Sequence, residues 1–568
     1  MSHRFLAPIA AALALAGCAT RPAPATPPAA MAGAVSAADP RAQAAGEEML
    51  RQGGSATDAA IATMLALTVV EPQSSGIGGG GFLVRGTAEG AVTTIDGRET
   101  APGGATPDWF LAPDGSLPDY RASVASGLSV GVPGNIALAA KAHEAHGKLP
   151  WERLFGPAIQ LARGGFAINP RLHQSLVQMG NLRDRSDHTR ALYFTADGSV
   201  RPVGSVVRNE ALARTFERIA AQGPEAFYSG SLAQDIAATV AADTPRPGAM
   251  TAADIARFEA KDRAAVCLDY RRHKVCSMGP PTSGGIAVLQ ILGSLERFDL
   301  AALGPQNPVT WHLFLEAQRL AYADRELYLA DSDFVSVPVD GLVDPRYIAG
   351  RSALIAPASR IDKVVAGRPR GAPQARADGD EPAERGTSHI SAVDGAGTLV
   401  SYTSTIESAF GSGLTVQGFF LNNELTDFSR SPEVGGRPVA NRVEGGKRPR
   451  SSMAPTIVYD PDGRPLLAIG AAGGSTIPVQ TARSIIGVID FGLSARDALG
   501  MPFLMAMGDQ ILLEKGTWLE GSAEAFRALG HLGVTIAEAP VKGGAVLRTG
   551  QGWSSARDPR LEGQLDLP

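Results

Sequence analysis

Cysteine is nearly absent from this chain, with three residues in 568. One lies at position 18 and two at 267 and 276, so no cluster of thiolates is available to a metal. His273, between the last two, is a single imidazole where a metal centre needs several ligands. Neither a metal nor another cofactor is expected. Positive charge is not in excess either, since the formal net charge is -5 at pH 7. That mild acidity argues against a nucleic-acid partner, which demands a basic face. A transmembrane helix is missing as well: Phe5 to Ala16 is apolar but too short to cross a bilayer. No internal repeat is present. Glycine and proline are abundant, 66 and 40 residues, which indicates a loop-rich mixture of helix and sheet rather than a helical bundle. The length suits several domains or one large layered domain.

The N-terminus reads as a targeting segment outside the fold. Leu15-Ala16-Gly17-Cys18 resembles a bacterial lipobox, which implies cleavage before Cys18 and lipidation of its thiol. A plain secretory signal with a coincidental cysteine is the alternative. Residues 1–17 are thus expected to be a signal peptide and 18–37 a Pro/Ala-rich, semi-rigid tether. The body is expected to be exported, periplasmic and anchored to a membrane only through lipid. Cys267 and Cys276 flank a hairpin turning at Arg271-Arg272. That turn sets them opposite one another at a non-hydrogen-bonded pair, whose close Cα spacing suits a disulfide. An oxidising compartment favours the bond over free thiols.

Helices are expected over Arg41–Arg51, from Ser55 through Leu67, over Asn135–His146 and over Leu154–Arg163. An amphipathic helix is expected over Trp311–Leu329. Phe82–Val84 and Val92–Asp96 read as paired strands. Ala356 to Arg385, rich in Arg, Asp, Pro and Gly without periodicity, reads as mobile. Beyond it, Leu399–Thr403, Gly418–Leu421, Thr456–Tyr459 and Leu466–Ile469 read as four strands of a sheet core.

The transition at Gly386-Thr387-Ser388-His389 carries the chemistry. A loop delivers a hydroxyl residue to the first position of an alternating apolar strand. Threonine is a weak nucleophile at neutral pH and needs a base, which the free α-amine of an N-terminal threonine supplies. That amine has an unperturbed pKa near 8. The same hydroxyl can first attack the preceding carbonyl, giving an ester that water cleaves. Gly386, with no Cβ, leaves room for that attack. The pattern points to a self-cleaving precursor cut between Gly386 and Thr387, with 38–386 as the large fragment and 387–568 as the small, catalytic one.

Further motifs occur in a meaningful order: Glu71-Pro72-Gln73-Ser74-Ser75-Gly76-Ile77-Gly78-Gly79-Gly80-Gly81-Phe82, Asp96-Gly97-Arg98-Glu99-Thr100-Ala101-Pro102, Leu421-Asn422-Asn423-Glu424-Leu425-Thr426-Asp427-Phe428, Lys447-Arg448-Pro449-Arg450-Ser451-Ser452-Met453-Ala454-Pro455-Thr456 and Gly470-Ala471-Ala472-Gly473-Gly474-Ser475. Together they resemble the γ-glutamyltransferase family of N-terminal-nucleophile hydrolases, from about Ala38 nearly to the C-terminus. The resemblance implies an α+β fold, a four-layer αββα sandwich made by two interlocked fragments of one precursor. It implies that Thr387 is the nucleophile and not Ser388, that His389 is structural, and that the Thr405 hydroxyl contacts the nucleophile. It further implies that Gly473 and Gly474 form the oxyanion hole. Arg98 would bind the donor's α-carboxylate with Ser451 and Ser452, and Asp427 with Glu424 would bind its α-amine. An Arg fork suits a carboxylate, and carboxylates suit an ammonium. The substrates would be γ-glutamyl amides such as glutathione, the acceptors water, amino acids or peptides, and the assembly a heterodimer of the chain's own two fragments.

Two departures from the family pattern matter. Glu407 stands where the family's best-known members carry Asn, at the α-amino-acid end of the donor. Ser429 to Gly446 is shorter than in some bacterial relatives and has no aromatic lid residue. An open site admits water, so hydrolysis is expected to be strong relative to transpeptidation. Two other readings stay open: an acylase of the same scaffold acting on glutaryl-type side chains, and an uncleaved, inactive surface lipoprotein.

Overall fold

In the computed structural model, which describes Met1 and residues 33–373, 376, 377, 379 and 386–566, twelve strands build two six-stranded sheets. The signal peptide beyond Met1, Cys18, the tether as far as residue 32, and 374, 375, 378 and 380–385 of the expected mobile stretch lie outside the described residues.

The first sheet takes β1 (Ala34–Ala37), β2 (Gly80–Gly86), β3 (Val92–Gly97), β4 (Lys261–Arg263), β7 (Ser388–Val393) and β8 (Leu399–Thr405), in the order β1-β7-β8-β2-β3-β4. The second takes β5 (Val266–Tyr270), β6 (His273–Ser277), β9 (Thr456–Tyr459), β10 (Pro465–Ala472), β11 (Lys542–Thr549) and β12 (Gly552–Arg557), in the order β12-β11-β10-β9-β6-β5. Both are antiparallel throughout. The strands of the expected small fragment thus sit between strands of the large one in the first sheet and beside them in the second.

The sheets pack face to face, β7 and β8 against β10 and β11. Helices α1 (Pro40–Arg51), α2 (Ala56–Val70), α3 (Asn135–His146) and α4 (Gly156–Gly164) cover the outer side of the first. Helices α5 (Gly284–Leu295) and α7 (Ile477–Ile489) cover the outer side of the second, and α6 (Pro308–Tyr328) packs on α5. This is the four-layer arrangement expected above. α2 begins at a capping box in which Ser55 and Asp58 satisfy each other's backbone N–H. All of its residues are buried, as its near-continuous apolar sequence requires.

Period-two alternation divides β7 between two cores. Ile390 and Ala392 join the cluster under α1 and α2. His389 and Ser391 face the second sheet, where a Cβ on Gly470 would come within 2.5 Å of the His389 ring. The imidazole fills the space that glycine leaves.

Four expectations need correction. Gly418–Leu421 is not a core strand: Phe419–Phe420 pairs only with Thr415–Val416 in a two-stranded turn. Of the other three, Leu399–Thr403 lies in the first sheet, while Thr456–Tyr459 and Leu466–Ile469 pair with each other in the second. The tether boundary at 37 falls inside the fold, since Ala34–Ala37 pairs with Ile390–Val393 as an edge strand. The expected amphipathic helix is buried on most sides, Glu316 and Arg319 included, because Gly284–Leu295, the short strand Leu504–Met507 and the segment after Ala356 pack around it. That segment, Ala356 onward, has no helix or strand but is tied down where described. Glu316 accepts from the Ile361 N–H at 2.7 Å and Asp324 from the Gly367 N–H at 2.7 Å.

Cys267 and Cys276 are joined in a disulfide at directly opposed positions of β5 and β6, with Cα atoms 4.1 Å apart. Arg271 and Arg272 both have positive φ, 50° and 63°, the two-residue turn that sets this register.

Candidate active site

Strand register alone assembles the core of the site. β7 and β8 pair Ser388 with Ser404, so Thr387 and Thr405 lie next to each other one step further. β8 and β2 pair Thr405 with Gly80, and β2 and β3 pair Gly81 with Gly97. Thr387, Thr405, Gly80 and Arg98 therefore form a row at one end of the first sheet. Three strand spacings, about 14 Å, separate its two ends. A glycine run crosses the middle because nothing larger fits: a Cβ on Gly79 would lie 1.9 Å from the Thr405 carbonyl oxygen.

At one end of the row, the Thr387 hydroxyl donates to the Gly386 carbonyl oxygen and lies 3.3 Å from the Thr405 hydroxyl. Thr405 Oγ1 also accepts from the Glu407 N–H at 2.8 Å. Gly386 is pressed against the Glu407 carbonyl oxygen, which a Cβ would meet at 1.7 Å. Thr387 is buried, as are Ser388 and His389. Ser388 is committed elsewhere, its hydroxyl donating to Glu71 at 2.8 Å. His389 bonds Thr403 and Ser391, both at 2.9 Å, and burial drives its imidazole down to about 3, so it stays neutral. It is a structural histidine.

At the other end, the buried Arg98 guanidinium pairs with Glu424 and Asp427. It also donates to the Pro449 and Arg450 carbonyls at 3.2 and 3.0 Å. Glu424 and Asp427 come from one buried 3-10 turn, Glu424–Asp427, held by Asn422 and Asn441. Arg98 therefore already holds the two carboxylates expected to bind an amine. Glu99 lies 3.9 Å from Arg98; burial, against the pull of the Arg98 charge, raises its carboxyl to about 7. Glu407 takes the left-handed φ of 70° and accepts from Asn423 at 2.5 Å and from the Ser408 hydroxyl. Burial raises its carboxyl too. The Ser451 hydroxyl accepts from the Met453 N–H at 3.1 Å, and the Ser452 hydroxyl accepts from Arg325 at 2.8 Å. Both serines follow the carbonyls that Arg98 holds, but each hydroxyl also serves the local backbone or a neighbouring arginine.

Gly473 and Gly474 stand where β10 leaves the second sheet and turns toward α7. Their φ values, 122° and 58°, are ones that side chains resist. The first N–H groups of a helical turn have no intrahelical acceptor, so this corner presents backbone donors.

Two residues escaped the sequence reading. Lys542 and Glu71 form a buried pair at 2.5 Å beside Thr387. Glu71 opens the glycine-rich motif that ends at Phe82, but nothing in the sequence tied it to a lysine 471 positions away. Burial pushes the Glu71 carboxyl up, yet the Arg171 and Lys542 charges outweigh it and hold it at about 2.

Among the described residues one group has metal-ligand chemistry: His312, Glu316 and His531, their ligand atoms within 4.8 Å of one another. Its members are largely engaged already, although His531 Nδ1 is buried without a partner. His312 bonds His531 at 2.8 Å and the Ala356 carbonyl at 2.9 Å, while Arg319 donates to both Glu316 oxygens. It reads as a buried polar clasp between α6 and the segments around it.

Known proteins resemble this chain along most of its length. The family profile described as gamma-glutamyltranspeptidase matches residues 42–566. The glutathione hydrolase proenzyme of Escherichia coli is 36% identical over 497 residues, covering 85% of this chain and 83% of that one. Among solved structures, a cephalosporin acylase from Bacillus halodurans superposes with a TM-score of 0.78 at 26% identity, over 93% of this chain and 94% of that chain. The γ-glutamyltranspeptidase of Helicobacter pylori gives 0.54 at 35% identity, over 57% of this chain and 91% of that chain.

Proposed function

Because this chain belongs to the γ-glutamyltranspeptidase family, an enzyme family of N-terminal-nucleophile hydrolases, we propose that it matures by cutting itself before Thr387 and then cleaves γ-glutamyl amides such as glutathione. One observation carries the reading: the row that sets a threonine hydroxyl at one end and an Arg–Glu–Asp cluster at the other.

In maturation, the Thr387 oxygen attacks the Gly386 carbonyl carbon and the peptide nitrogen leaves. That step frees the Thr387 α-amine, and water then hydrolyses the ester to the Gly386 carboxylate and the Thr387 hydroxyl. In turnover, that amine takes the hydroxyl proton as the oxygen attacks the donor's γ-carbonyl. Gly473 and Gly474 supply backbone donors for the oxyanion; in comparable sites removing one such donor costs about 2.7–4 kcal/mol. The proton passes to the departing amine. Water or an amino-acid amine then resolves the γ-glutamyl ester.

The Arg98 cluster matches a zwitterion by exchange of partners. The donor's carboxylate takes the guanidinium fork, and its ammonium takes Glu424 and Asp427. A glutaryl donor has no ammonium. It would draw a pair of buried carboxylates away from their cation without replacing it, at a cost of about 2–5 kcal/mol. The acylase reading keeps one point in its favour, since a carboxyl such as Glu99 that holds its proton near neutrality needs no cation. Hydrolysis rates on γ-glutamyl-p-nitroanilide and glutaryl-p-nitroanilide decide between them. We expect at least a hundredfold preference for the first; equal rates or the reverse order would reject the amino-acid donor.

The lid segment supports strong hydrolysis. Its exposed turn, Glu433–Val434 paired with Arg437–Pro438, brings no aromatic ring over the site. Glycylglycine is therefore expected to stimulate donor consumption less than about threefold at neutral pH, and a large stimulation would count against an open site. The lipobox and the disulfide support export and anchoring through Cys18. A Cys18→Ser chain that stays in the membrane fraction would refute the anchor.

A further inference from the structure

One buried ion pair touches the nucleophile's own residue without entering the donor chemistry above. Lys542 opens β11, in the second sheet, and its Nζ reaches across to the first. It donates to the Thr387 carbonyl at 2.8 Å, the Ser388 hydroxyl at 3.0 Å, the Ser74 hydroxyl at 3.1 Å and Glu71 Oε2 at 2.5 Å. Glu71, just past the end of α2, also accepts from Arg171 at 3.0 Å and from the Ser388 hydroxyl. Stretches of chain distant in sequence thus meet on residues 387 and 388.

The position of that meeting matters. The pairing of β7 with β8 begins at Ser388, and that with β1 only at Ile390. Thr387 is outside both ladders. While the chain is intact, residue 387 is held covalently on each side. Once the bond to Gly386 is broken it becomes a chain end, and chain ends fray unless tied down. A frayed Thr387 could not keep its amine on its own hydroxyl and that hydroxyl on the donor. The Lys542–carbonyl bond fixes the peptide plane between residues 387 and 388, and the grip on the Ser388 hydroxyl fixes the next side chain.

We propose that Lys542, with Glu71 as its counter-ion, is a positioning residue that holds Thr387 in register after the chain is cut, so that its effect falls on turnover rather than on cutting. The proposal rests on the self-cutting reading above.

The test uses the full chain with Lys542→Met, Lys542→Arg and the double change Glu71→Gln/Lys542→Met, which removes both charges of the pair. Thermal unfolding, fragment masses with time, and kcat and KM on γ-glutamyl-p-nitroanilide are measured for each. We expect the methionine variants to fold and cut to completion. Their kcat should fall about a hundredfold, the loss that misplacement by about an ångström produces. KM should stay within about threefold of the parent, and Lys542→Arg should recover at least about a tenth of parental kcat. A cut, folded methionine variant with kcat within about threefold of the parent overturns the proposal. So does a folded variant that stays uncut, which would assign Lys542 to maturation, and so does failure of the double variant to fold, which would make the pair purely structural. A parent that cuts itself but ignores the γ-glutamyl anilide rejects only the donor assignment, and the same comparison is then read on the glutaryl anilide. A parent that never cuts rejects both.

Discussion

At the scale of single residues, the site is a problem of burying charge. Arg98, Glu424 and Asp427 are all buried, and each is tolerable only because of the others. Replacing Arg98 with Gln should remove the fork for the donor carboxylate and leave a pair of buried carboxylates without that cation. We expect kcat/KM on γ-glutamyl-p-nitroanilide to fall at least about a hundredfold, and stability to drop by about 3–5 kcal/mol in a denaturant titration. Glu99 predicts a pH effect with a definite sign. Its carboxyl rises from the usual 4.5 to about 7, so the folded chain binds this proton more tightly than the unfolded chain. The resulting stabilisation is complete below about pH 4.5 and is lost as pH rises through 7. Between pH 5 and 8 the parent should lose on the order of 3 kcal/mol more stability than Glu99→Gln, measured by unfolding at each pH.

At the scale of elements, junctions matter more than the elements they join. The loop into β7 is confined because Gly386 lies against the Glu407 carbonyl. Gly386→Ala should slow cutting at least about tenfold, followed by the appearance of the small fragment, while the uncut chain stays folded. The corner between β10 and α7 depends on the unusual φ of Gly473 and Gly474. Gly474→Ala should lower kcat by about 10²–10³ if that corner loses its oxyanion donors. The β5–β6 hairpin is far simpler. Its disulfide closes a short loop, separation 9, so opening it with Cys267→Ser/Cys276→Ser should cost about 2–3 kcal/mol and leave cutting unchanged.

At the scale of the whole molecule, both sheets combine strands of the two expected fragments. In the first, β7 and β8 lie between β1 and β2; in the second, β9 is hydrogen-bonded to β6. A cut at 386–387 removes one covalent bond and none of these ladders. The fragments should therefore co-elute in size-exclusion chromatography and separate only in denaturant. Thr387→Ala should give a single 58.8 kDa chain, and two fragments from that variant would sink the mechanism.

Much of this was legible in the sequence because it depends on local rules. The Ser55 cap, the two-residue turn at Arg271-Arg272, the helices at Pro40 and Asn135 and the strand after Thr387 each follow from neighbouring residues. The candidate site residues were picked out the same way, because a hydroxyl residue at a strand start, an arginine after a strand and a pair of glycines before a helix are each short motifs. What stayed hidden depends on partners distant in the chain. Alternation could not say that Gly418–Leu421 belongs to no main sheet, nor that Ala34–Ala37 completes an edge, because pairing is set by the other strand. Composition marked the segment after Ala356 as loose, but backbone bonds to Glu316 and Asp324 tie down its described stretch around Ile361 and Gly367. The occupation of Arg98 by Glu424 and Asp427, and the reach of Lys542 to Thr387, exist only because distant stretches of the chain close on one another. The sequence by itself determined most of the elements, the candidate nucleophile and the chemical types expected at the site, since these are properties of residues and their near neighbours. Only the tertiary structure decided which charges neutralise which and which side chains meet Thr387, because burial makes every charge choose a partner and the chain's path decides which are within reach.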